Sequence, residues 1–200
     1  MDISLFVNIT SRAWAMPILS SLHSGVAGRQ APLLAATGAG RTAFAQSMEH
    51  LIELGLLERN PGYGHPLRPE FRLTNLGRTV AAIATKIHDV SQEEDWPLLR
   101  RSWTLPVLTS LHEPSHFTDI KRHLPTITDR ALSQSLKSME ARKWVSRSVD
   151  EVARPPRSIY RAVNTGGLIS RVISPEVIFG QPKQSSLKDD GIRGTRESGH

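Results

Sequence analysis

Three sets of residues in this 200-residue chain have types and spacings that could do chemistry. His112-Glu-Pro-Ser-His116 fits the HExxH pattern, in which two histidines one helical turn apart hold zinc and the glutamate serves as base. Gly38-Ala-Gly40-Arg-Thr-Ala43 has the look of a glycine-rich turn that cradles a dinucleotide pyrophosphate. Arg130, Gln134 and Lys137 stand at i, i+4 and i+7, which brings them to one face of a helix. Arg can bind guanine bidentately, Gln can do the same for adenine, and Lys can reach a phosphate. The first two sets fail on context. Pro114 disrupts the helix that the zinc geometry needs. Gly38 follows a helix-like stretch rather than a strand, and no βαβ unit surrounds it. No nucleophile–base–acid set remains, so we expect no catalytic residues, no metal and no cofactor.

The third set sits in the basic part of the chain. The formal net charge is +6, yet residues 1–95 carry −1, residues 96–180 carry +6 and the last twenty +1. Clustered Lys and Arg gain affinity for a polyanion by releasing its counterions; the plain alternative is a solvated basic surface. Hydrophobic residues make up 38% and charged residues 22%, which fits a folded chain rather than a disordered or fibrous one. With no cysteine there is no disulfide, thiolate metal site or thiol redox switch. No apolar run approaches the roughly 20 residues of a membrane span. The first residues lack the basic and apolar regions of a signal peptide, so a cytoplasmic, nucleoid-associated protein without a membrane partner is expected.

The elements that must position the third set are visible as a repeat. Trp14-Ala-Met-Pro17-Ile-Leu-Ser-Ser-Leu-His23 returns as Trp103-Thr-Leu-Pro106-Val-Leu-Thr-Ser-Leu-His112, 89 residues later. Phe44-Ala-Gln46-Ser-Met48 returns as Leu132-Ser-Gln134-Ser-Leu136 at an offset of 88. Phe71-Arg72 and Asn75-x-Gly77 return as Tyr160-Arg161 and Asn164-x-Gly166, again at 89. The chain therefore reads as two copies of one domain, 11–90 and 97–173, joined by a linker at 91–96. The stretch 86–95 lacks Gly and Pro and is expected to continue as a helix toward the second copy. Residues 174–200 are expected to be a disordered tail.

Each copy gives the same order of elements. A first helix holds Trp14 or Trp103, with Pro17 or Pro106 in its early turns. A short second helix follows, near 31–36 in copy one and 117–124 in copy two. The third helix carries the apolar stripe Phe44, Met48, Leu51 or Leu132, Leu136, Met139. Thr128 is the expected N-cap of the latter, with Asp129 in its first turn. A hairpin then rises from Leu56-Leu57 or Trp144-Val145 and returns through 71–73 or 159–162, with turn-rich residues 60–65 between in copy one. A last helix begins at Asn75/Gly77 or Asn164/Gly166. This is the order of a winged helix-turn-helix, so the fold class is mainly α with small β-hairpin wings, as two tandem winged helix-turn-helix domains.

These residues also resemble a family. The tryptophan-bearing first helix, Phe117-x-Asp-Ile-x-x-x-Leu-Pro125, Ile127-Thr-x-Arg130-x-Leu-x-x-Ser-Leu136 and the Arg-Pro-Pro-Arg157-x-x-Tyr160 wing are similar to HxlR-type transcriptional regulators, relatives of the MarR type. The resemblance covers about 75 residues in copy two and, more loosely, a similar length in copy one. It departs in having two domains on one chain, where the family usually has one and dimerises. It implies a sequence-specific DNA-binding transcriptional regulator that is not an enzyme, with double-stranded DNA as partner. Helical projection opposite the buried stripe, with the flanking helix and wing, nominates the DNA contacts. In copy two these are Lys121, Arg122, Thr128, Arg130, Ser133, Gln134, Lys137, Arg154, Arg157 and Arg161. In copy one they are Arg41, Thr42, Gln46, Arg68 and Arg72. Because Glu49 and Glu53 share the copy-one face, copy two is expected to be the main reader, with the pair acting as a built-in pseudo-dimer. Trp14, Trp96, Trp103 and Trp144 are expected in core or inter-domain contacts; the other reading is an aromatic pocket for a small-molecule effector. A further homodimer is also compatible with the chain. The rival class is a tandem winged-helix protein–protein module of the kind found in the bacterial condensin complex.

Overall fold

The computed structural model describes residues 1–60, 69–151 and 154–180. Local signals set the helix boundaries. Gly38, at φ 66°, ends α3 (Gln30–Thr37), and Gly40 opens α4 (Arg41–Glu53) in an extended conformation. In copy two, the Thr128 side chain accepts the Ala131 amide at the start of α9 (Asp129–Ala141). Both helices bury the stripes read from their periodicity: Phe44, Met48 and Leu51 on α4, and Leu132, Leu136 and Met139 on α9.

The remaining elements of copy one are α1 (Ile3–Thr10), α2 (Ala15–His23), β1 (Leu57–Asn60), β2 (Glu70–Leu73) and α5 (Asn75–Asp89). Copy two follows with a 3-10 turn (Glu93–Asp95), α6 (Trp96–Leu99), α7 (Thr104–Ser110), β3 (Ser115–His116), α8 (Phe117–His123) and α9. It is completed by β4 (Val145–Asp150), β5 (Arg157–Ala162), α10 (Asn164–Ile173) and a 3-10 turn (Ser174–Glu176). This is a mainly helical chain with small antiparallel sheets in two winged helix-turn-helix domains. In the first wing Leu57 pairs with Leu73 and Asn60 with Glu70. In the second, Val145 pairs with Ala162 and Asp150 with Arg157. Residues 61–68, with most of the expected copy-one turn and Arg68, lie outside the described residues.

The repeated Asn-x-Gly has a steric reason. A Cβ on Gly77 would run into the Leu56 carbonyl oxygen, and one on Gly166 into that of Trp144. The last helix of each copy therefore presses its first turn onto the residue just before the wing. Copy two adds a strand that periodicity did not reveal: β3 pairs with β5, Ser115 opposite Tyr160 and His116 opposite Ile159. Copy one has a single bond there, from the Phe71 amide to the Gly28 carbonyl at 2.6 Å. Only glycine fits at 28, since a Cβ would meet the Phe71 carbonyl.

Equivalent elements of the two copies touch. α5 packs on α10, its counterpart in the repeat, and the buried apolar residues of both copies form one continuous core. Contact of an element with its own equivalent marks an isologous, two-fold-like arrangement. α1, which the sequence reading left outside copy one, packs on α7 of copy two as well as on α2. Shifted by the repeat of 89, α1 corresponds to the turn at Glu93–Asp95 and α6.

Two expectations about connections are corrected. Residues 86–95 do not form one helix: α5 ends at Asp89, and Val90 caps it at φ −95°, ψ 0° before the short turn. Nor is the tail loose from 174. Val177 is 5% exposed, and Ile178 forms a parallel bridge with Asp2, through Ile3 N–H to Ile178 O (3.0 Å) and Ile178 N–H to Met1 O (2.8 Å). The apolar run Val177-Ile-Phe179 supplies the burial that a solvated tail lacks; residues 181–200 lie outside the described residues. Among the described residues, no helix is long and apolar enough to cross a membrane.

Candidate nucleic-acid interface

α9 turns its apolar stripe inward, which leaves Arg130, Ser133, Gln134 and Lys137 exposed together on the opposite face. Among the described residues Arg130 and Lys137 have no ion-pair partner. Thr128 is exposed, but its hydroxyl is occupied in capping the helix. Lys121 and Arg122 on α8 are also exposed, and both are already paired. Lys121 binds Asp129 at the start of α9, and Arg122 lies 3.0 Å from Asp119. Their charge toward a phosphate is therefore partly spent, whereas that of Arg130 and Lys137 is not.

The second wing places Arg154, Arg157 and Arg161 on its exposed surface. It is held by a residue first considered for zinc. His116 has Nδ1 3.1 Å from the Ser158 carbonyl and Nε2 3.4 Å from an Asp150 carboxylate oxygen, so it ties β3 across β5 to β4. α7 ends at Ser110, leaving His112 exposed beyond it, so the two histidines of the HExxH string never share a helix. Among the described residues, no cluster of three or more His, Asp or Glu side chains could hold a metal. The sequence reading missed Arg147, which donates to Ser158 Oγ at 2.9 Å and lies 6.0 Å from the Tyr160 ring centre.

In copy one Arg41, Thr42 and Gln46 are exposed on α4, and so are Glu49 and Glu53. Arg72 is bound to Glu70 at 2.8 Å. Arg68 lies outside the described residues. The two faces thus share a glutamine at one position, and beyond it copy one carries Glu49 and Glu53 where copy two has Lys137 and Ala141.

The tryptophans divide. Trp144 is 2% exposed in the core, and Trp103 is partly buried against it. Trp14 and Trp96 line a cleft of about 520 Å³ between the copies. There the Arg100 guanidinium stands 4.4 Å over the Trp14 ring, and His88 lies 5.4 Å from Trp96. His123 is half-buried, its ring 4.7 Å from Phe179 and its Nδ1 buried without a partner among the described residues. Burial lowers its pKa from the ordinary 6.5; the Asp119 charge opposes this and Arg122 adds to it.

Two exposed recognition helices with wings define a tandem winged helix-turn-helix protein. The HxlR-like helix-turn-helix family model matches the chain twice, over residues 9–95 and 98–181. The chain belongs to that family, a family of DNA-binding transcription regulators. No curated protein and no solved structure matches it.

Proposed function

We propose that this protein is a sequence-specific transcriptional regulator whose two winged helices bind DNA as an internal pseudo-dimer, with copy two as the main reader. The observation that carries this reading is the difference between the helix faces: on α9, Arg130 and Lys137, without ion-pair partners among the described residues, flank Gln134, while on α4 Gln46 is followed by Glu49 and Glu53. Carboxylates facing a phosphate-lined groove are unfavourable, so α4 contributes a weaker contact through Arg41, Thr42 and Gln46. The self-contact of α5 with α10 supports the two-fold-like arrangement, which a pair of major grooves about 34 Å apart would match. The contact set is the one nominated from the sequence, with Arg130, Ser133 and Gln134 reading bases and Lys137, Arg154, Arg157 and Arg161 holding phosphates. An effector of this regulator would occupy the Trp14–Trp96 cleft, which lies between the copies and so could bias their relative placement.

Selection of binding sites from genomic fragments tests the reading. Arg130→Ala/Gln134→Ala should weaken the selected site by about ten- to a hundredfold, since a good bidentate base contact is worth about 1–3 kcal/mol. Thr42→Ala/Gln46→Ala should cost less. Equal losses would make the two copies equal readers. No selected sequence in the wild type would overturn the regulator reading in favour of a protein-binding module. Salt provides a second criterion, because affinity for DNA falls by roughly 0.9 log unit per contacted phosphate for each log unit of salt.

A further inference from the structure

Copy two has an open cleft at the start of α10 where copy one is closed. In copy one the Thr74 hydroxyl accepts the Gly77 amide at 3.0 Å and so caps α5. Arg78 then folds over the same end, donating to the Leu73 carbonyl at 3.0 Å and to Asn75. Shifted by 89, Thr74 becomes Val163 and Arg78 becomes Gly167. α10 accordingly has no side-chain cap, and its first turn is covered only where Gly166 packs on Trp144. The space left is about 550 Å³. Asn164, at φ 51°, begins the helix, and its side chain is turned away to donate to the Lys143 carbonyl at 2.9 Å. The amides of the first turn therefore have no capping side chain and form the positive end of the helix dipole, and among the first-turn residues Asn164 lines the cleft.

Three further features point to a ligand at this opening. Ser170 lines the cleft, is 2% exposed, and its Oγ has no hydrogen-bond partner among the described residues. A buried hydroxyl left unpaired is costly, and a bound acceptor would relieve it. Arg161 and Arg171 line the same space, have no ion-pair partner among the described residues, and outweigh Glu113 in charge. Leu168, 48% exposed, forms an apolar wall beside Pro114 and Leu111. At 170 and 171 copy one has Ala81 and Ala82, so the hydroxyl and the second cation belong to copy two alone.

We infer that this cleft binds a small organic anion, with a phosphate or carboxylate head on the Asn164 amide, Arg171, Arg161 and Ser170, and a short apolar body against Leu168 and Pro114. The inference goes beyond DNA reading: the ligand is seated at the base of the wing rather than on the α9 face, and it shares only Arg161 with the proposed phosphate contacts.

The test is a titration of the full chain with inorganic phosphate and with phenyl phosphate at fixed ionic strength, followed by backbone amide resonances without DNA. Saturable shifts of Asn164, Gly167 and Leu168 are expected, with phenyl phosphate binding more tightly than phosphate. Arg171→Glu should weaken binding by at least about tenfold, given the strength of charge-assisted hydrogen bonds. Gly167→Arg, which restores the copy-one plug, should abolish it. A Cβ at 167 comes within 3.3 Å of the Ala162 carbonyl, so Val163→Thr serves as a gentler closure that restores the cap and should also weaken binding. Shifts confined to α8 and α9, no saturation, or unchanged affinity in Arg171→Glu would each overturn the site. Equal affinity for the two probes would overturn the apolar part of the ligand.

Discussion

The two copies of one unit have kept their buried stripes and their close-packed glycines while their exposed faces have separated. Gly77 and Gly166 meet the same obstacle, the carbonyl before the wing, and Phe44 and Leu132 fill equivalent places in the core. Outside, Glu49 and Glu53 stand on the helix face where copy two has Lys137 and Ala141, and a plugged helix end in copy one is an open one in copy two. The difference teaches that the interior of such a unit constrains volume closely, whereas solvent-exposed charge is free to diverge and to take up separate roles.

The sharpest test of what the copies share is to fill the glycine sites. Gly166→Ala, and equally Gly77→Ala, forces a Cβ into a backbone carbonyl and should cost about 3 kcal/mol or more in urea unfolding. Because both copies contribute to one core, each variant is expected to lower a single transition; two separated transitions would show that the copies unfold independently. Next in size is a place where they differ. Asp95 is buried at 4% exposure, receives Arg142 from the end of α9 at 3.0 Å and accepts the Gln92 amide at 2.9 Å. Copy one has the fully buried Phe6 at the equivalent position. Arg142→Ala leaves the carboxylate buried without its cation and should cost about 3 kcal/mol by the same measurement. A neutral result would mean that solvent reaches Asp95 and that the pair does not anchor α9.

Smaller effects refine the comparison. Gly55 at φ 68° and Lys143 at φ 62° occupy the same turn before the wing. Lys143→Gly should therefore stabilise copy two by about 1 kcal/mol, and Gly55→Ala should destabilise copy one by a similar amount. Stability unchanged by either would show that the turn is not strained. The smallest effect is a pH slope. The folded-state pKa of His123 lies below its ordinary 6.5, so the unfolded chain binds more protons. Stability should then fall as pH drops from about 7 through 6.5 and on to the folded-state value, and His123→Gln should reduce that slope. A slope of the opposite sign would mean that a partner stabilises the charged ring.

The helices, the stripes and the wing order were legible because each depends on neighbours a few residues away: the cap at Thr128, the i, i+4 spacing of Leu132 and Leu136, the strand-forming run at Ile159 and Tyr160. The exposed face of α9 was legible for the same reason, since burying one side of a helix fixes the other. Which cations remain free was not. Lys121 finds Asp129 eight residues on, and Arg72 finds Glu70 two residues back across the strand, pairings that helical projection does not give.

The amino-acid sequence by itself determined two copies of a winged helix-turn-helix, their buried stripes and the sign of each recognition face, because periodicity, capping and charge are local properties. Only the tertiary structure decided that α1 leans on the other copy and that Ile178 clasps Asp2. It also decided that His116 braces a wing, that Trp14 and Trp96 line one cleft, and that α10 begins without a side-chain cap. Those outcomes join residues tens to more than a hundred positions apart, where burial and steric fit rather than local pattern choose the partner.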